Sequence, residues 1–471
     1  MTEGHSWVSA AIRRSPLPSA AVCPARLGRF ILRSPLPRWT PTPLTRAAPP
    51  STAVIGGGIA GLAAAHRLAQ AGHRVTLFER HAVPGFIASS VSLPGDGGIR
   101  VDVPLRVFYP GYYPTLVRLY EEIGVASEPV SYAASLCDAT GEPFFRYRNL
   151  RLGDRSWAYV LPGDLRGARA RCILRGLLRF HREGLAAWRR GDLAGRTLEE
   201  FLQSNAFPPD MVEGFLLPAL ATVATCSYAS ARAFPAEVVI GYLSAGVTRE
   251  CVRRAREGAD DVAGRLLHGV ADLRCGVRVL EVRRAGAGAT VQVEGETLQR
   301  FDHVVVASQA NQALSLLGDE SDAERRVLGA FRYEPVEVLM HRDTAFMPAR
   351  RRDWSAVNLR VHAGQQGPES TIWVNAVQPA LQRAADVFQT VQPQRDVDPS
   401  RVIGRARFER PVVQADSAAA LVALDDLHAE AGRRVWFCGS YAQPGIPLLE
   451  SAVRSAEVVV RALCRATSPT T

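Results

Sequence analysis

Three glycines and one acid carry the clearest chemistry in this sequence. Gly56, Gly58 and Gly61 form a G-x-G-x-x-G turn, and Glu79 follows 18 residues after Gly61. The first glycine permits a tight turn, the second lets a pyrophosphate approach the backbone, and the third lets helix and strand pack closely. Ile59 and Ala60 sit inside the turn, at the start of the expected helix. A carboxylate at Glu79 can accept hydrogen bonds from a ribose diol, and Arg80 adjoins it. The spacing predicts a dinucleotide site. A glycine-rich turn in some other α/β unit is the alternative. Against it, strand, helix, second strand and terminal acid all fall in register.

Other reactive groups are sparse. The chain has no lysine, so all 56 of its Lys-plus-Arg residues are arginine and no side-chain Schiff base can form. Its eight cysteines are scattered without a CxxC pair or a His/Cys cluster, which predicts neither a zinc site nor a disulfide framework. Phe108, Tyr109, Tyr112 and Tyr113, with the uncharged run 214–231, would suit a lipid tunnel or plain core packing. Pro218 and several hydroxyl residues in that run argue against a membrane-spanning helix.

The elements that must hold these residues can be read in outline. Residues 53–55 predict a buried strand, 62–69 a helix with Leu62, Ala65, Leu68 and Ala69 on one face, and 75–78 a second strand. A helix is expected over 113–123. Strands are expected at 100–103, 277–282, 289–293, 301–307, 336–340, 371–375 and 435–438, and a last helix over 449–464. Residues 165–190 predict a basic amphipathic helix, with Leu174, Leu177, Leu178, Leu185 and Trp188 sharing one face. Such a helix could lie on an anionic membrane or be an ordinary surface helix with solvated arginines.

The pattern predicts an α/β fold, a Rossmann-type nucleotide domain split in sequence by an inserted α+β substrate domain. The nucleotide domain is expected at 51–110, 256–312 and 431–466, the helical substrate part at 111–255 and its strands at 313–430. The formal charge of +10 is uneven, since residues 1–50 hold seven arginines and one acid. That distribution is not read as a nucleic-acid surface. Residues 1–50, Arg-rich and acid-poor with Ser and Pro, predict an organelle transit peptide, plastid before mitochondrion, or else a disordered basic tail.

The opening motif, the DHVVVA strand and the closing FCGSY…PLLESAVRSAEVVVRAL together resemble the flavin-containing amine oxidase superfamily, which includes phytoene desaturases and carotenoid isomerases. More narrowly, YYPTLVRLYEEIGV, TIWVNAVQ and VWFCGSYAQPGIPLLESAVRSA are similar to predicted NAD/FAD-binding proteins often encoded beside bacterial cyclopropane-fatty-acid synthases. The resemblance implies FAD, with Gly56, Gly58, Ala60 and Gly61 at its pyrophosphate and Glu79 at the adenosine ribose. It implies that the Val277 backbone meets adenine. Gly439 and Ser440 match the late flavin motif, and Leu449, Glu450 and Ser451 begin a helix whose N-terminal amides face the isoalloxazine. The chain departs from the family pattern in three places: Gly85-Phe86 replaces a Gly-Gly pair, Ser451 and Ala456 replace glycines, and the lysine of many amine oxidases is missing.

These features imply an FAD-dependent oxidoreductase for a hydrophobic fatty-acyl or isoprenoid substrate, by desaturation, dehydrogenation or double-bond isomerisation. Peripheral membrane association goes with it. A true amine oxidase and a flavin-binding scaffold without catalysis are the alternatives. His341, Asp343 and Glu450 are titratable residues in family-matching stretches, but no catalytic base is assigned.

Overall fold

The computed structural model describes residues 49–93, 98–246 and 249–467. The expected transit segment, apart from its last two residues, lies outside them. The first strand, β1 (Ser51–Ile55), pairs in parallel with β2 (Arg74–Glu79) on one side and with His303–Val306 on the other. Asp272–Cys275 and Val435–Phe437 complete a five-stranded parallel sheet, so its strands come from three separated stretches of chain. Both faces of such a sheet are covered, which is why HVVV and VWF are continuous apolar runs and not alternating ones.

Helix α1 (Ile59–Gln70) crosses between β1 and β2. Leu62, Ala63, Ala64, Ala65 and Leu68 are fully buried, and the small alanines let the last helix, Leu449–Thr467, pack closely against it. An ion cluster ties these two helices to Pro114–Glu122. Arg67 meets Glu457 at 2.9 Å and Glu122 at 2.5 Å, and Arg118 also reaches Glu457, at 2.8 Å. Arg67 and Glu457 are both buried, so each neutralises a charge that would be costly alone.

A second sheet has eight strands. Its order is Val402–Val412, Arg332–His341, Phe388–Val391, Glu369–Trp373, Val357–Arg360, Ala134–Cys137, Pro143–Leu152 and Arg155–Tyr159. A three-stranded antiparallel meander, Val279–Ala285, Gly288–Val293 and Gln299–Phe301, precedes the strand His303–Val306 of the parallel sheet. No helix of the described residues is long and apolar enough to cross a membrane.

The basic helix forms as one piece, Ala168–Arg190, but buries a different stripe from the one expected. Ala170, Ile173, Gly176, Phe180, Gly184 and Ala187 face the core, while Leu178 is 65 % exposed and Leu174, Leu177, Leu185 and Trp188 are half-buried. Close packing sets the stripe, because a Cβ on Gly176 would lie 2.7 Å from Met211 and one on Gly184 would lie 3.1 Å from Ile240. The apolar face of this helix is therefore covered by the protein itself.

Candidate functional site

The glycine turn is shaped by three different constraints. Gly56 has a φ of +106°, and its N–H donates to the Phe78 carbonyl at 2.8 Å. A Cβ on Gly61 would lie 1.8 Å from the Gly56 carbonyl oxygen, so helix and turn touch backbone to backbone. Gly58 is the opposite case: a Cβ there would meet nothing within 4 Å, and its φ of −70° is open to any residue. The void beside it lies at the start of α1, where no side chain caps the helix and no acid occupies the first turn. Uncapped N–H groups at a helix start favour an anion.

Glu79 is buried and held tightly. Oε2 accepts from the Gly57 N–H at 2.7 Å, and Oε1 meets the His81 N–H at 2.9 Å and its Nδ1 at 2.7 Å. A carboxylate has about four acceptor sites, so capacity remains for a ribose hydroxyl. Gly85 is needed for this packing, since a Cβ there would stand 2.7 Å from Oε2.

One cavity of about 680 Å³ adjoins this turn, walled here by Gly58, Ile59, Ala60 and Arg80. Gly439, Ser440, Leu449 and Ala452 also line it, so the first and last motifs meet at one space. Of the expected cofactor residues, Gly56, Gly61, Glu79, Val277, Glu450 and Ser451 do not line it. Val277 precedes the strand it was expected to begin, because Gly276 turns the chain with a φ of +73°. Its N–H donates to the Glu79 carbonyl at 3.1 Å, and it does not line the cavity.

Glu450 turns its side chain away from the cavity. Its carboxylate accepts from the Thr115 N–H at 3.0 Å and the Leu116 N–H at 2.9 Å, capping Pro114–Glu122. Burial raises its pKa, against those hydrogen bonds. The Ser451 hydroxyl donates to the Ile446 carbonyl at 3.0 Å. The closing helix thus faces the cavity through Leu449 and Ala452, while Glu450 and Ser451 anchor it.

The far wall of the cavity is aromatic and basic. Tyr109, Tyr113, Tyr132 and Tyr242 line it, joined by Thr222, Val223 and Thr225 from the uncharged run. Tyr112 packs 4.7 Å from Tyr242, centroid to centroid, and its hydroxyl accepts from the Ile446 N–H at 2.8 Å. Phe108 instead packs edge-on against Tyr120. Burial pushes the phenol pKa values of Tyr109, Tyr113 and Tyr242 far up, so they stay protonated at neutral pH.

Two arginines on this wall are not foreseeable from motifs. Arg410 donates from Nε to Thr225 Oγ1 at 2.8 Å and from Nη2 to the Pro447 carbonyl at 3.2 Å, with no carboxylate partner among the described residues. Arg106 lies over the Phe86 ring, with its nearest acid, Asp102, 3.9 Å away. Burial lowers the pKa of both, and for Arg410 the charge of Arg106 adds to that effect. The wall therefore carries positive charge with little to neutralise it.

The other titratable candidates are structural. His341 is buried in the large sheet, its Nε2 2.8 Å from Thr390 Oγ1, with its pKa pushed down to about 4 by desolvation. Asp343 accepts from the Ala345 N–H at 3.0 Å and pairs with Arg401 at 3.5 Å. Cys226 and Cys438 are buried thiols, both raised to about 12 by desolvation.

Residues 54–123 match the family described as an NAD(P)-binding Rossmann-like domain. Two curated proteins are similar over a short part of the chain. The tRNA 5-methylaminomethyl-2-thiouridine biosynthesis bifunctional protein MnmC of Magnetococcus marinus is 46% identical over 67 residues, 13% of this chain and 10% of that protein. Zeta-carotene desaturase of Synechocystis sp. is 41% identical over 73 residues, 15% of this chain and 14% of its own length. The chain thus spans only about a tenth to a seventh of these relatives. A solved CLA-producing fatty acid isomerase from P. acnes superposes with a TM-score of 0.62 at 16% identity, covering 88% of this chain and 98% of that one. Solved amine oxidases superpose over similar shares. The chain shares the fold of these solved amine oxidases and of the fatty acid isomerase. At these identities the likeness establishes architecture, and the chemistry must be argued from the site.

Proposed function

We propose that this protein is an FAD-dependent oxidoreductase acting on a hydrophobic substrate, fatty-acyl or isoprenoid. The observation that carries the reading is the single cavity walled at once by the α1 turn, by Gly439 and Leu449, and by the tyrosines. The open cradle at Gly58 and the uncapped start of α1 fit a pyrophosphate, with Glu79, Arg80 and His81 beside the ribose and Gly439, Ser440 and Leu449 at the flavin end. Bound there, FAD would supply two-electron chemistry, exchanging a hydride with a carbon of the substrate. Val223, Val252, Val357, Ile372 and Val377 give the remaining space apolar sides. The Arg410 and Arg106 guanidiniums favour an acid over a neutral hydrocarbon, which makes a fatty acid the better fit of the two substrate classes.

A true amine oxidase is the second reading, favoured by the tyrosine wall and by solved amine oxidases of this fold. The same two guanidiniums repel an ammonium group, and no lysine exists to stand near the flavin. The wall's acid, Glu409, accepts from Asn311 at 3.2 Å and is exposed, so it is a poor base for a buried amine.

The test has two parts. Heat-denatured protein should release FAD into the supernatant, resolved from FMN and NAD by chromatography. Anaerobic titration with fatty acids, carotenoid precursors and amines should then bleach the flavin or yield a desaturated or shifted-bond product with a lipid alone. Rapid bleaching by a small amine, with no turnover of any lipid, would overturn the assignment. An FAD-loaded protein inert to every substrate would point to a scaffold. The arginine-rich composition of residues 1–50 further supports import into an organelle, plastid before mitochondrion. A fluorescent fusion of the full chain that stays diffuse in the cytosol would refute that.

A further inference from the structure

The hairpin of Pro143–Leu152 and Arg155–Tyr159 closes one end of the large sheet, and among the described residues no strand pairs beyond it. Its register sets Leu150 opposite Trp157, Arg148 opposite Tyr159 and Leu152 opposite Arg155. Alternate side chains share a face, so Leu150, Leu152, Trp157 and Tyr159 project together. They are 60, 74, 37 and 40 % exposed, and Leu161 just beyond is 40 % exposed. Half of the exposed large hydrophobic side chains among the described residues thus fall within twelve positions. On the opposite face Ser156 is buried, and its N–H donates to the Arg249 carbonyl at 3.3 Å.

Charge distribution points the same way. Residues 143–190 hold 12 arginines against Asp154, Asp164 and Glu183, a net +9. With +6 in residues 1–50 and +10 for the whole chain, all the rest carries −5. Asp164 is already taken by Arg146 and Arg148, and Glu183 by Arg179. Arg155 shares the apolar face, opposite Leu152, and Arg151, Arg171 and Arg175 are exposed as well.

We infer that this hairpin docks on an anionic bilayer, with Leu150, Leu152, Trp157 and Tyr159 entering the interface and the neighbouring arginines meeting lipid head groups. Trp and Tyr suit that depth because each pairs an apolar body with a polar edge. A second copy of the chain through the same face would bring two strongly basic surfaces together, and a nucleic acid would leave the leucines without a partner. The contact adjoins the cavity, because Tyr132 on its wall donates its N–H to Asn149 Oδ1 of the hairpin at 3.0 Å. The inference rests on the surface alone and stands or falls apart from the proposed chemistry.

Vesicle flotation of the full chain tests it, comparing phosphatidylcholine with phosphatidylcholine containing phosphatidylglycerol. The chain should float with the anionic vesicles only, and added salt should release it. A triple variant, Leu150→Ser with Leu152→Ser and Trp157→Ser, should lower partitioning about tenfold or more with its melting temperature retained. Arg155→Glu should cost about fivefold. Failure of the parent to float, or equal flotation of the triple variant, overturns the inference. So does a change of oligomeric state in light scattering without a change in flotation, which would assign the face to a second copy.

Discussion

Gly58 and Gly61 stand three residues apart in one motif, yet they should fail in opposite ways. Gly58→Val places its side chain in open space with an ordinary φ, so the protein should fold and purify colourless. Gly61→Ala drives a methyl to 1.8 Å from a backbone oxygen, a clash with no flexible partner, and should cost about 3 kcal/mol or more. Melting temperature and flavin content, measured together, separate them. A Gly58→Val protein that keeps its flavin would remove the pyrophosphate from this cradle. On the far wall, Arg410→Gln removes a charge-assisted contact worth about 1.5–3 kcal/mol. KM for a fatty acid should rise about tenfold or more while a neutral analogue is unaffected. Equal losses for acid and neutral substrates would show that Arg410 shapes the wall and does not read the carboxylate.

At the scale of elements, what could be read in advance was local. The β1–α1–β2 unit is contiguous, and each residue's role follows from neighbours a few positions away, so the motif located both the turn and its acid. Glu450 shows where that reasoning ends: the helix it begins was legible, but its direction depends on Thr115, 335 residues earlier in the chain. Arg410 and Tyr242 were invisible for the same reason, since only tertiary folding brings them to one cavity. The strand expected from Val277 begins two residues later, at Val279, because a single left-handed glycine, Gly276, separates it from the strand before. The Glu450 assignment can be checked directly. Glu450→Ala strips the start of Pro114–Glu122 of its acceptor and should lower stability by about 2 kcal/mol, leaving the flavin spectrum unchanged. A shifted spectrum with unaltered melting would return Glu450 to the cofactor.

For the whole molecule, buried imidazoles predict sensitivity to acid. Desolvation lowers the pKa of His341 to about 4 and, with the charge of Arg433, lowers that of His428 to about 3, from an ordinary value near 6.5. Both folded values lie below the unfolded one, so on acidification the unfolded chain takes up protons first. Stability from these groups is complete above about pH 6.5 and is lost as pH falls towards 4. Between pH 7 and 5 each should cost about 2 kcal/mol. Thermal melting across that range should fall accordingly, and His341→Gln or His428→Gln should each flatten the curve by about one proton. A melting temperature indifferent to pH from 7 to 5 would show that neither ring is buried in the neutral form.

The central sheet has a further consequence, for the order of synthesis. β1 and α1 emerge early, but Val435–Phe437 and the helix that covers α1 come 380 residues after Ile55. At roughly 5–20 residues per second the alanine face of α1 would wait about 20 to 80 s for its cover. During that interval the nascent chain displays a small-residue surface and an unpaired parallel strand edge, both invitations to chaperones or to aggregation. A chain halted after residue 430 should therefore remain bound to a holdase and take up no flavin, whereas the full-length chain should be released as its last helix closes.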